Sequence, residues 1–598
     1  MDRKAIAVIG ASAVFIIIWV FVISPKYLIG KPAPPTTNTV ATLVSGTNSA
    51  EVSPASATPA MTTAGTAVTA ALPVLGSNAM EQTITLTNRE ARYIFTSHGG
   101  GLRRVELVGF PESAKPGQAT VSNRVASLNA KAPSPLLALL GEASLQGDGI
   151  FTLTQTASGV RAEKVLGNGL VVIKEFQPTS NYLFNATARI ENRSAQPVAV
   201  PAHQIVVGTA APMGPLPTST DIPGVMWCDN AGKPTDIAQP WFDNKTLGCI
   251  PGTPRTEYRG GVGTAKWISS HNQFFAMVAM PPTNHAAEVV MHSVKLPMPT
   301  AGELPPNATP PREAPSAIQA EMLYPATNIA AGGSLEHSFT YYAGPKKYTI
   351  LAEISGERSN NMDQVMGFGF WGIVSKVLLT GMNWLHDTLK LSYALTIIAI
   401  TILIKLLFWP LTAASTRSAK RMAALAPQMK ALQEKYKDNP AKLQEKTMAF
   451  WKEHKVNPVG GCLPMLIQIP VFFGFFTMIR SAVELRGASF LWCADLSQPD
   501  TILYLGGFPV NPLPLIMGAT MLWQARLTPP SPGMDPAQAK MMKYMPLIFM
   551  MFLYFYSAAL TLYWTTNNLM TILQTKLTKM KEPGTTEPAG SAPANKDK

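Results

Sequence analysis

The distribution of apolar residues divides the chain into three parts: an apolar N-terminal segment, a long region of mixed polarity and an apolar C-terminal part. Residues 5–23 form an uninterrupted apolar run that follows Arg3 and Lys4. A helix of that length spans about 30 Å of hydrocarbon, and no A-x-A cleavage pattern follows the run. We therefore predict that residues 1–28 form an uncleaved signal-anchor transmembrane helix with its N-terminus in the cytoplasm.

The next region changes from a nearly uncharged segment to an alternating pattern. Residues 29–80 are rich in Pro, Thr, Ala and Ser, and they bury too little apolar surface to fold, which predicts a flexible linker. From 81 to 345, short alternating runs such as 83–88, 170–176 and 334–344 are separated by Gly, Pro and Asn. Alternation with a period of two is typical of strands that are buried on one face. This region is predicted to form an all-β sandwich domain.

Helical apolar periodicity dominates the C-terminal part. Residues 368–390 are amphipathic, which predicts a helix in the membrane interface at the end of a connector, 346–390. The nearly uncharged stretch 541–573 is too long for one span, and lysines flank it on both sides, so we predict two short spans with a turn near Ser557 and Ala558. The predicted core spans are 391–411, 462–482, 508–525, 541–556 and 558–577.

The charges between these segments predict their orientation. Residues 412–460 contain ten basic and four acidic residues, which places this loop in the cytoplasm, whereas 483–507 contains one basic and three acidic residues and is predicted to lie outside. Six crossings follow, with both termini in the cytoplasm. The fold class is therefore a membrane α-helical bundle of six transmembrane helices with an outer β domain. Residues 391–580 form its core and 581–598 a disordered cytoplasmic tail.

Composition supports this division. The chain is 46% hydrophobic and only 14% charged, with a mean hydropathy of +0.11, which is too apolar for an ordinary soluble protein. The net charge of +13 is concentrated in segments next to predicted spans. The expected partner of this charge is therefore the lipid bilayer and not a nucleic acid.

Lys405 is the most informative single residue. It lies within the span 391–411, about four residues before Trp409 and Pro410, and a lysine at the centre of a span costs roughly 2.5–3.5 kcal/mol on insertion scales. No Asp or Glu occurs in any predicted span after residue 390, so no intramembrane carboxylate can pair with it. Two interpretations remain: the side chain extends to the lipid headgroups, or it lines a hydrated cavity.

Other polar residues could line such a cavity. Thr401 precedes Lys405 by one helical turn, Gln468 interrupts a later span, and Asn567 belongs to a polar run that follows Tyr563 and Trp564 in the last one. Singly, each is more often an ordinary interhelical contact, worth about 0.6 kcal/mol. Together with an unpaired lysine, they predict a hydrophilic groove in the inner half of the membrane.

The predicted cytoplasmic loop has the pattern of a helical hairpin, 412–458. Apolar residues recur at heptad-type spacing along its first arm, and Asn439 and Pro440 are typical of the start of a second helix. The alternative interpretation is a solvated connector, but the length and the Met-rich apolar surface of the arms favour adaptable capture of apolar segments. The residues assigned to this capture surface are Met422, Leu425, Met429, Leu432, Phe450 and Trp451.

Signals for covalent chemistry are missing from the sequence. There is no Walker A loop, HExxH, GxSxG or Rossmann glycine pattern, so we predict no catalytic site, no metal and no cofactor. The four cysteines form no CxxC pair. Cys228 and Cys249 lie in the region predicted to be outside, where a disulfide persists if it forms, and the sequence leaves both the bonded and the free state open.

Three long motifs resemble the YidC family of bacterial membrane protein insertases. They are residues 456–479 continued by 481–497, residues 400–412 and residues 560–574. The resemblance covers the whole core. It implies a five-helix insertase core around a groove that is open to the cytoplasm and lipid, a periplasmic β-supersandwich, the bacterial inner membrane as location and cooperation with the Sec translocon. Nascent membrane proteins are the implied substrates of this insertase and chaperone.

The resemblance also bears on individual residues. It places Thr401, Gln468, Tyr563 and Trp564 at groove or substrate-contact positions, and it implies that Lys405 stands where the family usually has arginine. The tail after Lys581 is short and mildly basic, so ribosome binding is expected to be weak. The alternative function is a solute transporter or channel with a periplasmic sensing domain, although inverted repeats are not evident.

Overall fold

A computed structural model describes most of the chain after the predicted linker. The described residues are 80–112, 125–214, 221–245, 252–263, 265–282, 286–304, 310–437, 439–454, 463–505, 508–527 and 536–578. The predicted signal anchor 1–28, the linker up to residue 79, Cys249 and the tail 581–598 lie outside these residues.

The first part of the described chain is built almost entirely from antiparallel strands, and we call residues 80–345 the β unit. Its strands are β1 Thr83–Thr87, β2 Ala91–Thr96, β3 Gly101–Pro111, β4 Val125–Leu128, β5 Leu139–Leu140, β6 Thr152–Gln155, β7 Val160–Val165, β8 Leu170–Pro178, β9 Leu183–Asn192, β10 Val198–Val200, β11 His203–Ala210, β12 Gly224–Cys228, β13 Pro234–Ala238, β14 Glu257–Gly260, β15 Trp267–His271, β16 Phe275–Met280, β17 Glu288–Lys295, β18 Ser316–Tyr324, β19 Thr327–Ile329 and β20 Ser334–Pro345. Two short helices interrupt them, α1 Ala143–Gln146 and α2 Gln239–Asp243. The predicted β-rich domain is confirmed.

The strands form layered sheets around one core. A nine-stranded sheet has the order β13-β12-β15-β16-β20-β9-β8-β7-β6, a five-stranded sheet the order β14-β17-β18-β11-β5, and a four-stranded sheet the order β1-β2-β3-β4. Burial alternates along β9, as expected for a strand with one buried face, whereas every residue of β15 and β16 is buried. These two strands are covered on both faces because the connector packs on the side away from the core.

The connector is helical. It contains α3, Tyr348–Arg358, and a 3-10 turn, Met362–Met366. Leu351 and Met362 pack against Met226 and Val278 of the nine-stranded sheet, in an apolar cluster that continues to Tyr563 in the last helix. The β unit and the helices after it are therefore joined by continuous packing.

The C-terminal part forms helices, and we call residues 369–578 the helix unit. After a 3-10 turn, Gly369–Trp371, its helices are α4 Gly372–Leu389, α5 Tyr393–Leu407, α6 Trp409–Ala424, α7 Ala426–Lys435, α8 Pro440–Glu453, α9 Leu463–Ser481, α10 Pro512–Leu527, α11 Pro536–Leu553 and α12 Ala558–Leu577. Between α9 and α10 lie a 3-10 turn, Val483–Leu485, and a hairpin of β21 Leu503–Leu505 and β22 Phe508–Val510.

Several helix ends lie where the local sequence predicts them. Phe408 ends α5 one residue before Trp409, and Asn439 caps α8 by accepting a hydrogen bond from the backbone N–H of Lys442 at 3.0 Å. Ser557 is the N-cap position of α12. Two starts differ. Residues 508–510 pair as a strand, and the helix predicted from 508 begins at Pro512. The helix predicted from 541 already begins at Pro536.

Composition and length alone single out only one candidate span among the described residues. No individual described helix is both long and apolar enough to qualify, but Gly369–Leu389 and Tyr393–Leu407 qualify together, with a bend of 119° between them. The predicted count of six spans stays a prediction.

Candidate functional site

The polar residues predicted to line a groove converge on α12, which packs against α5, α9 and α10. The Nζ atom of Lys405 donates a hydrogen bond to Oγ1 of Thr571 at 3.0 Å, across two helices. The Thr571 hydroxyl in turn donates to the backbone carbonyl of Asn567 at 2.8 Å. Lys405 is partly buried and forms no ion pair with a carboxylate among the described residues. The ammonium group of Lys405 is therefore held by the neutral hydroxyl of Thr571.

Thr401 lies one turn before Lys405 and is buried. Its hydroxyl donates to the backbone carbonyl of Ile397 at 2.7 Å, within its own helix. Because this proton is used locally, Thr401 contributes an acceptor oxygen to the interior and not a free donor.

A second polar contact lies nearer the start of α12. Nε2 of Gln468 donates to the hydroxyl of Tyr563 at 2.7 Å, and the Tyr563 ring stacks on Phe475 with a centroid distance of 4.3 Å. Tyr563 is only 1% exposed. The amide and the hydroxyl therefore satisfy each other in an apolar environment, where an unpaired polar group would be costly.

Trp564 lies beside this contact with its ring packed between two phenylalanines. The centroids of Phe472 and Phe549 are both 4.7 Å from that of Trp564. The predicted groove residues thus form two groups: Gln468, Tyr563 and Trp564 come together, whereas Lys405 meets Thr571. Residue 571 lies eight positions beyond Tyr563, which is roughly 12 Å along the helix.

Several polar residues of this site were not predicted. Besides Thr571, Gln574 donates through Nε2 to the backbone carbonyl of Trp409 at 3.2 Å and to Oγ1 of Thr412. Asn568, by contrast, belongs to the predicted polar run, and its Nδ2 donates to Oγ1 of Thr520 at 3.2 Å. Polar residues at 567, 571, 574 and 578 follow a spacing of four, three and four along α12. That spacing marks one helical face and could have identified Thr571 and Gln574.

Lys420 connects the base of the helical hairpin to the same helix. Its Nζ donates to the backbone carbonyls of Thr575 at 2.9 Å and Thr578 at 2.7 Å. These carbonyls lie at the C-terminal end of α12, where they lack partners within the helix and a cation is favourable.

The hairpin residues predicted as an open capture surface pack against each other instead. Met422, Met429 and Trp451 are buried in one cluster, with Leu425, Leu432 and Phe450 packed around it. The two arms meet through this cluster because each carries an apolar face. In this conformation the six residues form the interior of the hairpin, while Met448 remains exposed.

The opposite end of the helix unit is closed by a polar network. Oδ2 of Asp500 accepts hydrogen bonds from Nε1 of Trp492 at 3.0 Å and from the backbone N–H of Leu513 at 2.7 Å. Nδ2 of Asn511 donates to the backbone carbonyl of Tyr554 at 2.8 Å. The loop before α10 therefore covers the ends of the helices on this side.

Two predictions concern residues elsewhere. Cys228 is buried, and its Sγ lies 3.6 Å from the backbone carbonyl oxygen of Asp229. Cys249 lies outside the described residues, so the bonded and the free state of this pair both stay open. Among the described residues, no cluster of His, Cys, Asp and Glu side chains could hold a metal ion.

Comparison with known families covers most of the chain. The family described as the 60Kd inner membrane protein matches residues 384–584, and the YidC periplasmic domain matches residues 83–380. The chain belongs to the YidC family. YidC proteins are membrane protein insertases of the bacterial inner membrane with a periplasmic domain, and they are not enzymes.

Individual YidC proteins are similar to different shares of the chain. The chain is 39% identical to the membrane protein insertase YidC of Citrifermentans bemidjiense over 264 residues, which is 44% of this chain and 46% of that protein. It is 29% identical to the YidC of Pelobacter propionicus over 528 residues, 85% of this chain and 89% of that protein. A crystal structure of an active YidC insertase aligns over 85% of this chain and 94% of its own, with 19% identity and a TM-score of 0.33.

Proposed function

We propose that this protein inserts membrane proteins into the bacterial inner membrane and assists their folding, through a hydrophilic groove that carries Lys405. The contact between Lys405 and Thr571 carries this proposal. An ammonium held by one hydroxyl keeps further N–H donors and its full charge available. A carboxylate partner would neutralise that charge, and the described residues supply none at this position.

The groove would receive the two parts of a substrate segment differently. The ammonium of Lys405 attracts acidic or polar flanks, because opposite charges interact strongly where water is scarce. The half-buried ring of Trp564 offers apolar surface to the rest of the segment, and the ring of Tyr563, which is 1% exposed, packs behind it. Gln468 donates a hydrogen bond to the Tyr563 hydroxyl. Because these two polar groups pair with each other, that surface stays apolar.

The proposal includes the topology predicted from charge. The anchor 1–28 and five core spans cross the membrane, both termini and the hairpin lie in the cytoplasm, and the β unit lies in the periplasm. The network around Asp500 then closes the periplasmic end of the groove, and the substrate enters from the cytoplasm and the lipid.

The hairpin would capture substrates only after its arms separate. Met422, Met429 and Trp451 are buried between the arms, and Lys420 fixes the base of the hairpin on α12. An emerging apolar segment could replace one arm of the Met-rich cluster, because methionine side chains adapt to varied partners. Nascent membrane proteins are the proposed substrates, with the Sec translocon as a partner and the ribosome as a weak one.

Charge reversal at Lys405 tests the proposal. We expect Lys405→Glu to abolish insertion of a small two-span protein with an acidic translocated tail into proteoliposomes, Lys405→Ala to weaken it, and Lys405→Arg to retain it. Lys430→Glu makes the same charge change on the exposed side of α7 and serves as the control. If Lys405→Glu inserted the substrate as well as the wild type, the charge of Lys405 would have no role in insertion. Solute flux through the wild-type protein without insertion would favour a transporter.

A further inference from the structure

The strands β21 and β22, which we call the outer hairpin, expose apolar side chains on both faces. In the described part of the chain, β21 pairs with β22 alone. Consecutive side chains of a strand point to opposite faces, yet Leu503, Tyr504 and Leu505 are all exposed. Phe508, which pairs with Leu505, is exposed as well. Neither face of β21 is therefore covered by another part of the described chain.

This exposure on both faces indicates what covers the outer hairpin. A two-stranded hairpin is marginally stable at best in water, and contiguous exposed apolar surface marks a contact with a protein or a membrane. Residues 501–525 contain no Asp, Glu, Lys, Arg or His, so no charge favours water here. A protein partner would cover one face and leave the other bare, whereas lipid can surround both. The pattern therefore favours lipid.

The outer hairpin adjoins the exposed apolar surface of α11. Phe508 stacks on Tyr554 with a centroid distance of 5.3 Å, and the Tyr554 hydroxyl donates to the backbone carbonyl of Pro509 at 2.8 Å. Exposed apolar side chains next to this contact follow a helical spacing; they are Ile548, Met551, Phe552 and Phe555. The centroids of Phe508 and Phe555 are 6.1 Å apart. The outer hairpin therefore continues the apolar surface of α11.

The backbone limits how deeply the outer hairpin can enter a bilayer. Open sheet edges do not occur against hydrocarbon, because their N–H and C=O groups need partners. β21 and β22 each have one edge without a neighbouring strand among the described residues. These edges require the hydrated headgroup layer, from which apolar side chains reach the acyl chains. Trp492 fits this level, since its indole N–H is bonded to Asp500 and its ring is half-exposed.

We propose that the outer hairpin lies in the headgroup layer of the leaflet on the side of the β unit, and that its apolar side chains hold it there. The side follows from the end of α9, because Val483 in the next turn packs in the core of the β unit. The occupant of this surface is the lipid of that leaflet. The proposal requires the helix unit to lie in a membrane, as in the YidC family, but it does not depend on insertion activity.

Spin labels on the full chain in nanodiscs of phosphatidylethanolamine and phosphatidylglycerol test this depth. The four natural cysteines are replaced by alanine, and the label is attached to Leu505→Cys. Val165→Cys in the β unit is the control, because Leu505 is 66% and Val165 70% exposed. Oxygen concentrates in lipid and a nickel chelate in water. We expect the ratio of oxygen to nickel collisions to be several-fold higher at residue 505 than at residue 165.

Two results would overturn the proposal. Equal ratios at the two positions would place the outer hairpin in water. Protection of the label at residue 505 from both reagents would show that protein covers it. Neither measurement involves a substrate, so a chain without insertion activity would refute the proposed function and leave this result unaffected.

A charge tests whether the apolar side chains hold the outer hairpin in place. With the label moved to Leu503→Cys, Leu505→Asp should lower the collision ratio several-fold, because a carboxylate is costly within a bilayer. Leu505→Met keeps an apolar side chain and should leave the ratio unchanged. If Leu505→Asp and Leu505→Met gave the same ratio, the side chains would not set the depth, and the proposal would be wrong.

Discussion

The β unit and the helix unit follow the same physical rule, but they place apolar and polar side chains in opposite positions. In the β unit, large apolar side chains such as Phe176, Phe184 and Tyr341 are fully buried between sheets. In the helix unit, large apolar side chains such as Phe552 and Leu407 face outwards, while Gln468 and Asn568 are hydrogen-bonded inside. In water, the hydrophobic effect stabilises the arrangement of the β unit. In lipid, the arrangement of the helix unit is stable because polar groups without partners are costly in hydrocarbon.

One lysine in each unit shows the same contrast between enclosed and accessible groups. Lys174 in β8 is fully buried, donates to the backbone carbonyl of Gly99 at 2.7 Å and lies 4.6 Å from the centre of the Phe151 ring. It is enclosed by the β unit and cannot reach a ligand. Lys405 is only partly buried and keeps donors available. A buried lysine is therefore structural in one unit and, in our proposal, functional in the other.

The largest expected effect is the loss of a β-unit core side chain. Phe176→Ala removes a ring that packs on Phe95 at 5.0 Å, and we expect it to lower the free energy of unfolding by about 3–5 kcal/mol. Val165→Ala changes an exposed residue of the same unit and should have little effect. Urea unfolding followed by β-sheet circular dichroism measures both. Equal stability of the two variants would contradict the core assigned to the sheets.

A matched pair of charges tests whether the two units face different solvents. Phe552 is 69% exposed and Val165 is 70% exposed. In a bilayer, Phe552→Asp should cost roughly 2.5–3.5 kcal/mol, whereas Val165→Asp, a surface substitution in water, should stay within about 0.5 kcal/mol. Thermal unfolding in lipid nanodiscs compares them. Similar small losses for both would show that α11 does not face lipid.

The pH dependence of the β unit should reflect Lys174. Burial lowers its pKa from 10.5 to about 7, so between those values the unfolded chain binds more protons than the folded one. Stability therefore rises as the pH increases from about 7 towards 10, by at most about 1.4 kcal/mol per pH unit. Urea unfolding across this range measures the slope.

Two variants show whether Lys174 causes that slope. Lys174→Met should flatten it, because no titrating group remains at this position. Lys295→Met, which replaces a lysine that is hydrogen-bonded to Ser316 on the surface, should leave it unchanged. A slope that persists in Lys174→Met would assign the pH dependence to another group.

The smallest expected effect is the coupling between Gln468 and Tyr563. A double-mutant cycle with Gln468→Leu and Tyr563→Phe should give an interaction energy of about 0.6 kcal/mol, and no more than about 1.7 kcal/mol, as for other interhelical hydrogen bonds in membranes. Thermal unfolding in nanodiscs measures the stability of the wild type, the two single variants and the double variant. Additive losses would mean that the two side chains do not interact in the bilayer.

Local structure followed from the sequence because backbone geometry sets local periodicity. Alternation with a period of two predicted the β unit, and apolar helical periodicity predicted the helices of the C-terminal part. The Asn439 cap and the break at Phe408 were predictable because capping and proline effects act within a few residues. The connector helix Tyr348–Arg358 was missed, since its apolar residues pack on a sheet far away in the sequence.

Contacts between distant residues required the tertiary structure. The sequence predicted that Lys405, Gln468 and Tyr563 line one groove. It did not show that Lys405 pairs with Thr571 or that Gln468 pairs with Tyr563, because both partners lie on another helix. The heptad pattern of the hairpin predicted an apolar face without showing that the face is covered by the other arm. A pattern along one element defines which side chains share a face, whereas the partner of that face depends on how the elements pack. For this reason the sequence by itself determined most of the elements, the family and the lysine without a carboxylate partner, and only the packing decided what the lysine and the hairpin contact.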